Sequence, residues 1–111
     1  MIDSYRFGYI AVDGEEYSDD ILILPKGIEN WWRKRGHELC PEDLEEVILE
    51  RPQVLVLGTG AYGMVRVPAE TRQYLESQGI RLVAEATDKA CQSYNQLCLS
   101  QRVAAALHLT C

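Results

Sequence analysis

The chain has 111 residues, 47% of them apolar and 25% charged, so one domain can bury about two-thirds of its unfolded-state surface without disulfide or metal staples. Its formal net charge of −6 argues against general nucleic-acid binding, because the summed field repels backbone phosphates. No apolar run approaches the roughly 20 residues of a membrane helix, and the opening "MIDSYRFGYI" has neither a basic stretch nor a continuous apolar one; a cytoplasmic chain without membrane insertion is expected.

The run Arg6 to Val12 alternates in polarity and is followed by Asp13-Gly14, the chemistry of a primed hairpin turn, since both residues tolerate positive φ. Ile21-Leu22-Ile23-Leu24 is apolar on both faces and stops at Pro25, which cannot donate to a ladder, so an interior strand is predicted. After a turn at Pro25-Lys26-Gly27 comes "ENWWRKRGHELC", in which Trp31, Trp32 and Arg33 combine residue types enriched in binding hot spots with a local positive patch. Neighbours in an extended segment point to opposite faces, so at most one tryptophan belongs to the core and the other lies on the surface. The surface tryptophan reads either as a contact for a protein or anionic ligand, or as a lid with an arginine stacked on it.

Cys40 stands where a helix cap belongs, Pro41 suits the first helical position, and Glu42 and Asp43 complement the positive end of the helix dipole. Leu44, Val47 and Ile48 give the apolar stripe of a short helix ending before Pro52. Val54 to Leu57 is a short buried strand, and "PAETRQYLESQGI" is a helix with Gly79 as the residue that ends it. Ile80 to Val83 is a further strand, Thr87 or Asp88 caps a helix running to about Leu99, and "RVAAALHL" closes the pattern as a small-residue strand. Strands alternating with helices predict an α/β domain whose sheet has parallel members, preceded by an N-terminal hairpin.

Between the strand and the helix lies Gly58-Thr59-Gly60-Ala61-Tyr62-Gly63, which spells G-x-G-x-x-G. A dinucleotide site requires the helix to open inside this motif, so that its N–H groups and dipole face the pyrophosphate. Met64-Val65-Arg66-Val67 is β-branched and alternating, however, which predicts extended backbone and a helix start at Pro68. Glu85, where a ribose-binding acid is expected, favours the ligand; the length of the chain, with room for one βαβ half, opposes it. The reading taken is a tight turn of a buried strand, with Gly58 and Gly60 permitting positive φ and close packing.

Four cysteines, Cys40, Cys91, Cys98 and Cys111, form no C-x-x-C pair and are expected to stay reduced; with only His37 and His108 besides, no metal site is predicted. Cys91, near the start of a helix with Thr87, Asp88 and Asn95, reads either as a dipole-activated nucleophile or redox thiol, or as a buried packing residue, and the second reading is taken.

Phe7-Gly8, Asp13-Gly14, Asp20, Trp31-Trp32, Gly58-Thr59-Gly60, Gly79-Ile80 and "TDKACQSYNQL" before Arg102-Val103-Ala104-Ala105-Ala106-Leu107 together resemble the Mth-type domain family, shared by small prokaryotic proteins, an adipogenesis-associated vertebrate protein and a mitochondrial complex I assembly factor. The resemblance spans about residues 5 to 109 and implies a three-layer α/β fold with a central, mostly parallel mixed sheet whose last strand is antiparallel to the others. It implies that Gly58, Thr59, Gly60, Thr87, Ala90, Tyr94 and Asn95 meet at one edge of that sheet. Ser100-Gln101 departs from the family, which usually has glycine before the arginine matching Arg102. The function expected is a non-enzymatic interaction or assembly-factor-like module, without cofactor, contacting an unidentified protein through Trp31, Trp32, Arg33 and the rim Gly58, Thr59, Gly60 and Tyr62; a homodimer is left open. The alternative is a small-molecule or nucleotide-binding enzyme using the glycine loop with Thr87, Asp88 and Cys91.

Overall fold

A computed structural model describes residues 1–111. Ile2–Arg6 (β1), Tyr9–Val12 (β2) and Glu15–Tyr17 (β3) form a separate antiparallel sheet. Asp13-Gly14 closes β2 onto β3 as expected, with φ of 49° and 84°. The run Arg6 to Val12 is nevertheless two strands, because a second tight turn at Phe7-Gly8 sets Arg6 opposite Tyr9, with Gly8 at φ 76°. The N-terminal hairpin is thus part of a three-stranded meander. Polarity alternation carries no mark of that first turn; only the glycine's freedom to take positive φ permits it.

The main sheet is built from Ile21–Leu24 (β4), Gly27–Asn30 (β5), Val54–Thr59 (β6), Arg81–Glu85 (β7) and Val103–His108 (β8), in the order β5-β4-β8-β6-β7. The interior strand predicted at Ile21 is β4, paired on both sides, whereas β5 escaped the sequence reading. The last strand is parallel to β6, not antiparallel to the others; the reversed member is β4. The connections explain the correction. Glu45–Glu50 (α1) precedes β6, while Ala69–Ser77 (α2) and Thr87–Leu97 (α3) join β6 to β7 and β7 to β8. Each helical crossover returns the chain in its original direction, so β6, β7 and β8 run together. β4 enters from the meander and fills the free side of β8 head to tail.

Helices and the meander make the outer layers. Leu44 and Val47 around α1, with Leu75 of α2, pack on Leu55, Leu57, Ala104 and Ala106. Ala90 and Cys91 of α3 pack with Ile10 and Val12 on Val56, Ala105 and Leu107 of the opposite face. All six residues of β6 and all six of β8 are buried, which is why both read as continuous apolar runs rather than alternations. Burying a side chain such as Leu55 or Leu107 contributes about 1.5–3 kcal/mol each. The alanines of β8 let layers on both faces approach closely.

Helix boundaries follow local chemistry with two corrections. Cys40 caps a 3-10 turn, Pro41–Leu44, that leads into α1, and the Asp43 carboxylate accepts from the Cys40 N–H at 2.9 Å. Met64 to Val67 is non-helical as predicted, Pro68 takes the cap position of α2, and Gly79 ends it at φ 73°. Neither Thr87 nor Asp88 caps α3: Ala86 holds that position and Thr87 is the first helical residue. The Thr87 hydroxyl is drawn away to tertiary partners. The strand predicted at Ile80 to Val83 is shifted to Arg81–Glu85, and α3 stops at Leu97.

Candidate functional site

The carboxyl ends of β6 and β8 lie beside the start of antiparallel β4, so the glycine loop, His108 and Asp20 come to one end of the sheet. This is where α/β folds place ligands. The glycine loop, however, spends its donors internally. Gly60 N–H donates to Thr87 Oγ1 at 2.9 Å, Ala61 N–H to the Thr110 carbonyl at 2.7 Å and Gly63 N–H to the Gly60 carbonyl at 3.2 Å. Thr87 Oγ1 in turn donates to the His108 carbonyl at 2.6 Å, and Thr59 Oγ1 to the Glu85 carbonyl at 3.0 Å. Glu85 Oε1 accepts from Ser93 Oγ at 2.6 Å. Gly58 and Gly60 are required by proximity: a Cβ on Gly58 would lie 2.9 Å from Leu107 Cδ2, and one on Gly60 would lie 2.8 Å from the Thr110 carbonyl. The loop is a knot tying β6, α3 and the segment after β8, with the close packing the tight-turn reading expects at both glycines; positive φ is found only at Gly60, at 105°, because Gly58 still belongs to extended β6.

Tyr62, at the tip of the loop, is 74% exposed and its ring packs against Phe7, centroids 6.2 Å apart. Trp31 and Trp32 divide as their spacing predicts. Trp31 is buried, donating Nε1–H to the Asp43 carbonyl at 3.0 Å, whereas Trp32 is 82% exposed. Trp32 stands in a cleft of about 320 Å³ whose walls include Asp19, Asp20, Arg33, His108 and Thr110.

Under that cleft lies a charged cluster that sequence reasoning missed as a unit. Arg33 stacks over Trp31, 4.6 Å from the ring centroid, and its Nη1 bonds Asp20 Oδ2 at 2.8 Å. His108 Nδ1 is 2.7 Å from the same oxygen, and Leu109 N–H donates to Asp20 Oδ1 at 2.8 Å. Burial pushes the Asp20 carboxyl up, but the hydrogen bonds from His108, Leu109 and Arg33 outweigh it and hold the group below the ordinary carboxylate range. An ionised carboxylate only accepts, so His108 Nδ1 carries the proton and Arg33 Nη2, 3.1 Å away, faces it without a true hydrogen bond. His108 Nε2 is buried without a protein partner. The ring lines the cleft, and it is the Nδ1 contact with Asp20 that fixes it there. The signal in the sequence was weak: a histidine ending a run of buried alanines, and an aspartate just before an apolar strand.

The remaining predicted residues lie elsewhere. Asn95 exchanges two hydrogen bonds of 2.8 Å with the backbone of Ile2, clamping α3 to β1. Asp88, Cys91 and Asn95 line a groove of about 240 Å³ between those elements, apart from the tryptophan cleft. Cys91 is buried, and that burial, with the Asp88 charge, pushes its thiol up to about 12, opposite to the shift an activated nucleophile needs. Gly58, Thr59, Gly60 and Thr87 do meet, whereas Asn95 secures the meander instead. No group of three or more His, Cys, Asp or Glu side chains is arranged to hold a metal ion.

The family model described as "Protein of unknown function (DUF498/DUF598)" matches residues 2–108. The chain belongs to this family. The DUF498/DUF598 domain is similar to NADH dehydrogenase [ubiquinone] 1 alpha subcomplex assembly factor 3 of Danio rerio, 33% identical over 108 residues, covering 96% of this chain and 62% of that protein. The human protein of the same name is 28% identical, with 95% and 58% covered, so the chain spans about three-fifths of these relatives. Among solved structures, the conserved hypothetical protein PH1505 of Pyrococcus horikoshii OT3 superposes with a TM-score of 0.91 at 33% identity, over 100% of this chain and 99% of that one. A Bordetella pertussis protein described as a Mth938-like domain shares the fold at 24% identity and a TM-score of 0.68, over 97% and 84% of the two chains. The DUF498/DUF598 assignment agrees with the Mth-type resemblance and with a mixed α/β architecture.

Proposed function

We propose that this domain is a non-catalytic interaction module that binds a protein partner through the face carrying Trp32, Phe7 and Tyr62. The observation that carries the reading is the 82% exposure of Trp32 beside its buried neighbour, since a large apolar side chain held in water beside a cleft has value chiefly when something covers it. Thr110 links the two aromatic groups: it lines the tryptophan cleft, and its carbonyl accepts from Ala61, next to Tyr62. Trp31, Arg33, Gly58, Thr59, Gly60 and Thr87 act beneath this face by holding it in shape. The relatives named as assembly factors support a partner that is a component of a larger complex during its assembly. Four free thiols fit a reducing compartment, and the reading places the chain in the cytoplasm; no helix is long and apolar enough to cross a membrane.

The test is quantitative co-purification from the native host with Trp32→Ala, Tyr62→Ala and the unmodified chain. Loss of the same partner from both variants, with circular dichroism unchanged, is expected. Identical partner profiles for all three would end this reading.

A further inference from the structure

The β4–β5 ladder sets Ile21 opposite Asn30, and one step further Trp31 N–H donates to the Asp20 carbonyl at 3.0 Å. The pairing stops there: the chain bends at Ser18-Asp19, and this bend brings Asp19 into the same cleft as Trp32. Trp31 therefore has Asp20 across from it, and Trp32 has Asp19 in the wall of its cleft. The inner pair, Trp31 and Asp20, is already complete, because the Arg33 guanidinium stacks on the indole and bonds the carboxylate. The outer pair, Trp32 and Asp19, also brings an aromatic ring and a carboxylate to one cleft, with no cation bonded to the carboxylate. Asp19 is exposed, takes part in none of the ion pairs of the chain, and shares the cleft wall with Trp32.

The surroundings have the same sign. A second cleft of about 110 Å³ that also includes Trp32 is walled by Glu42, Asp43, Glu45 and Glu46. Lys34 balances Glu42 at 3.1 Å and Asp43 is used for capping, but Glu45 has no counter-ion. Glu46 is pushed above the ordinary carboxylate range chiefly by its hydrogen bond to the Glu29 carboxyl, with burial and the Glu29 charge adding to it. An exposed indole flanked by unpaired carboxylates attracts a cation through its ring face and through charge at once.

Resting on the interaction reading above, we propose that Trp32 and Asp19 receive an arginine or lysine side chain from a basic segment of the partner protein. The incoming cation repeats for the outer pair what Arg33 does for the inner one, and the carboxylates beside it give the segment its orientation.

The experiment is a ¹H–¹⁵N titration with a synthetic Arg-Gly-Arg-Gly-Arg peptide, with citrulline in place of arginine as the uncharged control. The expected result is movement of the Trp32 indole N–H while that of Trp31 stays fixed, with affinity falling as salt is added. Asp19→Asn and Trp32→Ala should each weaken binding about two- to fivefold, as exposed ion pairs and cation–π contacts do. Trp32→Phe should recover part of the loss. Equal binding of the citrulline peptide, or unchanged affinity in both variants, overturns the proposal. Partner loss from Trp32→Ala in co-purification but not from Asp19→Asn keeps the interaction face and overturns the cation. A concentration-dependent dimer abolished by Trp32→Ala would assign the site to a second copy and likewise overturn it.

Discussion

Thr87 Oγ1 accepts from the Gly60 N–H at 2.9 Å, and by donating to His108 it joins the ends of two adjacent strands to the first turn of α3. Both hydrogen bonds are buried. Thr87→Val preserves shape and strips both away, leaving an amide and a carbonyl unpartnered at about 1–3 kcal/mol each. Urea denaturation is expected to show a loss of roughly 2–4 kcal/mol, largely recovered by Thr87→Ser. A Thr87→Val protein as stable as the parent would show that this hydroxyl is dispensable.

Gly60 and Gly58 should differ in their tolerance of a methyl group. At Gly60 the added carbon meets the carbonyls of Thr110 and Cys111 at 2.8 and 2.9 Å, and φ is +105°, so both backbone and torsion resist. At Gly58 it meets Leu107 Cδ2 and Thr87 Oγ1, both at 2.9 Å; the hydroxyl is held by its two hydrogen bonds, but the leucine tip can turn aside and φ is not positive, so only packing resists. Gly60→Ala is expected to cost roughly 3–5 kcal/mol and Gly58→Ala about 1–3 kcal/mol by denaturant melts. The reverse order would mean that the segment after β8 is softer than its hydrogen bonds imply.

The glycine loop also shows how far the residues speak for themselves. Met64 to Val67 correctly signalled that no helix opens inside the motif and so argued against a phosphate cradle, because β-branched alternation is a local property. The paired tryptophans were legible for the same reason. What stayed hidden depends on distant partners. Thr87 looks like a cap until the His108 carbonyl arrives from 21 residues away, and Asp20 meets Leu109 and His108 only after β4 is laid against β8. Strand direction was hidden too, because β8 is apolar on both faces and its pattern is the same whichever way its neighbours run.

Asp20 should govern the acid limb of stability. Its folded-state pKa lies below the ordinary 3.8, so its contribution is complete above that value and is lost as pH falls through the lowered one. Asp20→Asn leaves Arg33, whose side chain is 7% exposed, without its counter-charge. A loss of roughly 2–4 kcal/mol at pH 7 is expected, together with a flatter stability profile below about pH 4, measured by urea melts across pH. An acid limb as steep as that of the parent would place the titrating group elsewhere.

Cys91 should be the slowest thiol. With its pKa raised to about 12, chiefly by burial, it is protonated at neutral pH, whereas Cys111 is exposed. Iodoacetamide at pH 8 followed by peptide mass mapping should modify Cys111 in minutes and Cys91 only on unfolding. The sign for stability is opposite to that of Asp20: the contribution of the neutral thiol is complete below its ordinary 9.0 and is lost as pH rises towards 12. Cys91→Ala should therefore soften the alkaline limb. Fast alkylation in the native state would revive a reactive role for this residue.

Placing β8 between β4 and β6 has a consequence for how the protein is made. Ile21 must wait for Leu107, and the neighbours that flank the middle of the sheet must wait for the strand that separates them. During translation the earlier strands leave the ribosome without their shared partner, so the meander and β4 emerge long before they can be enclosed. Such non-local pairing slows folding and exposes strand edges in the interval. A nascent chain stalled before Val103 should thus remain a substrate for chaperones, and protease resistance should appear abruptly once His108 has cleared the exit tunnel.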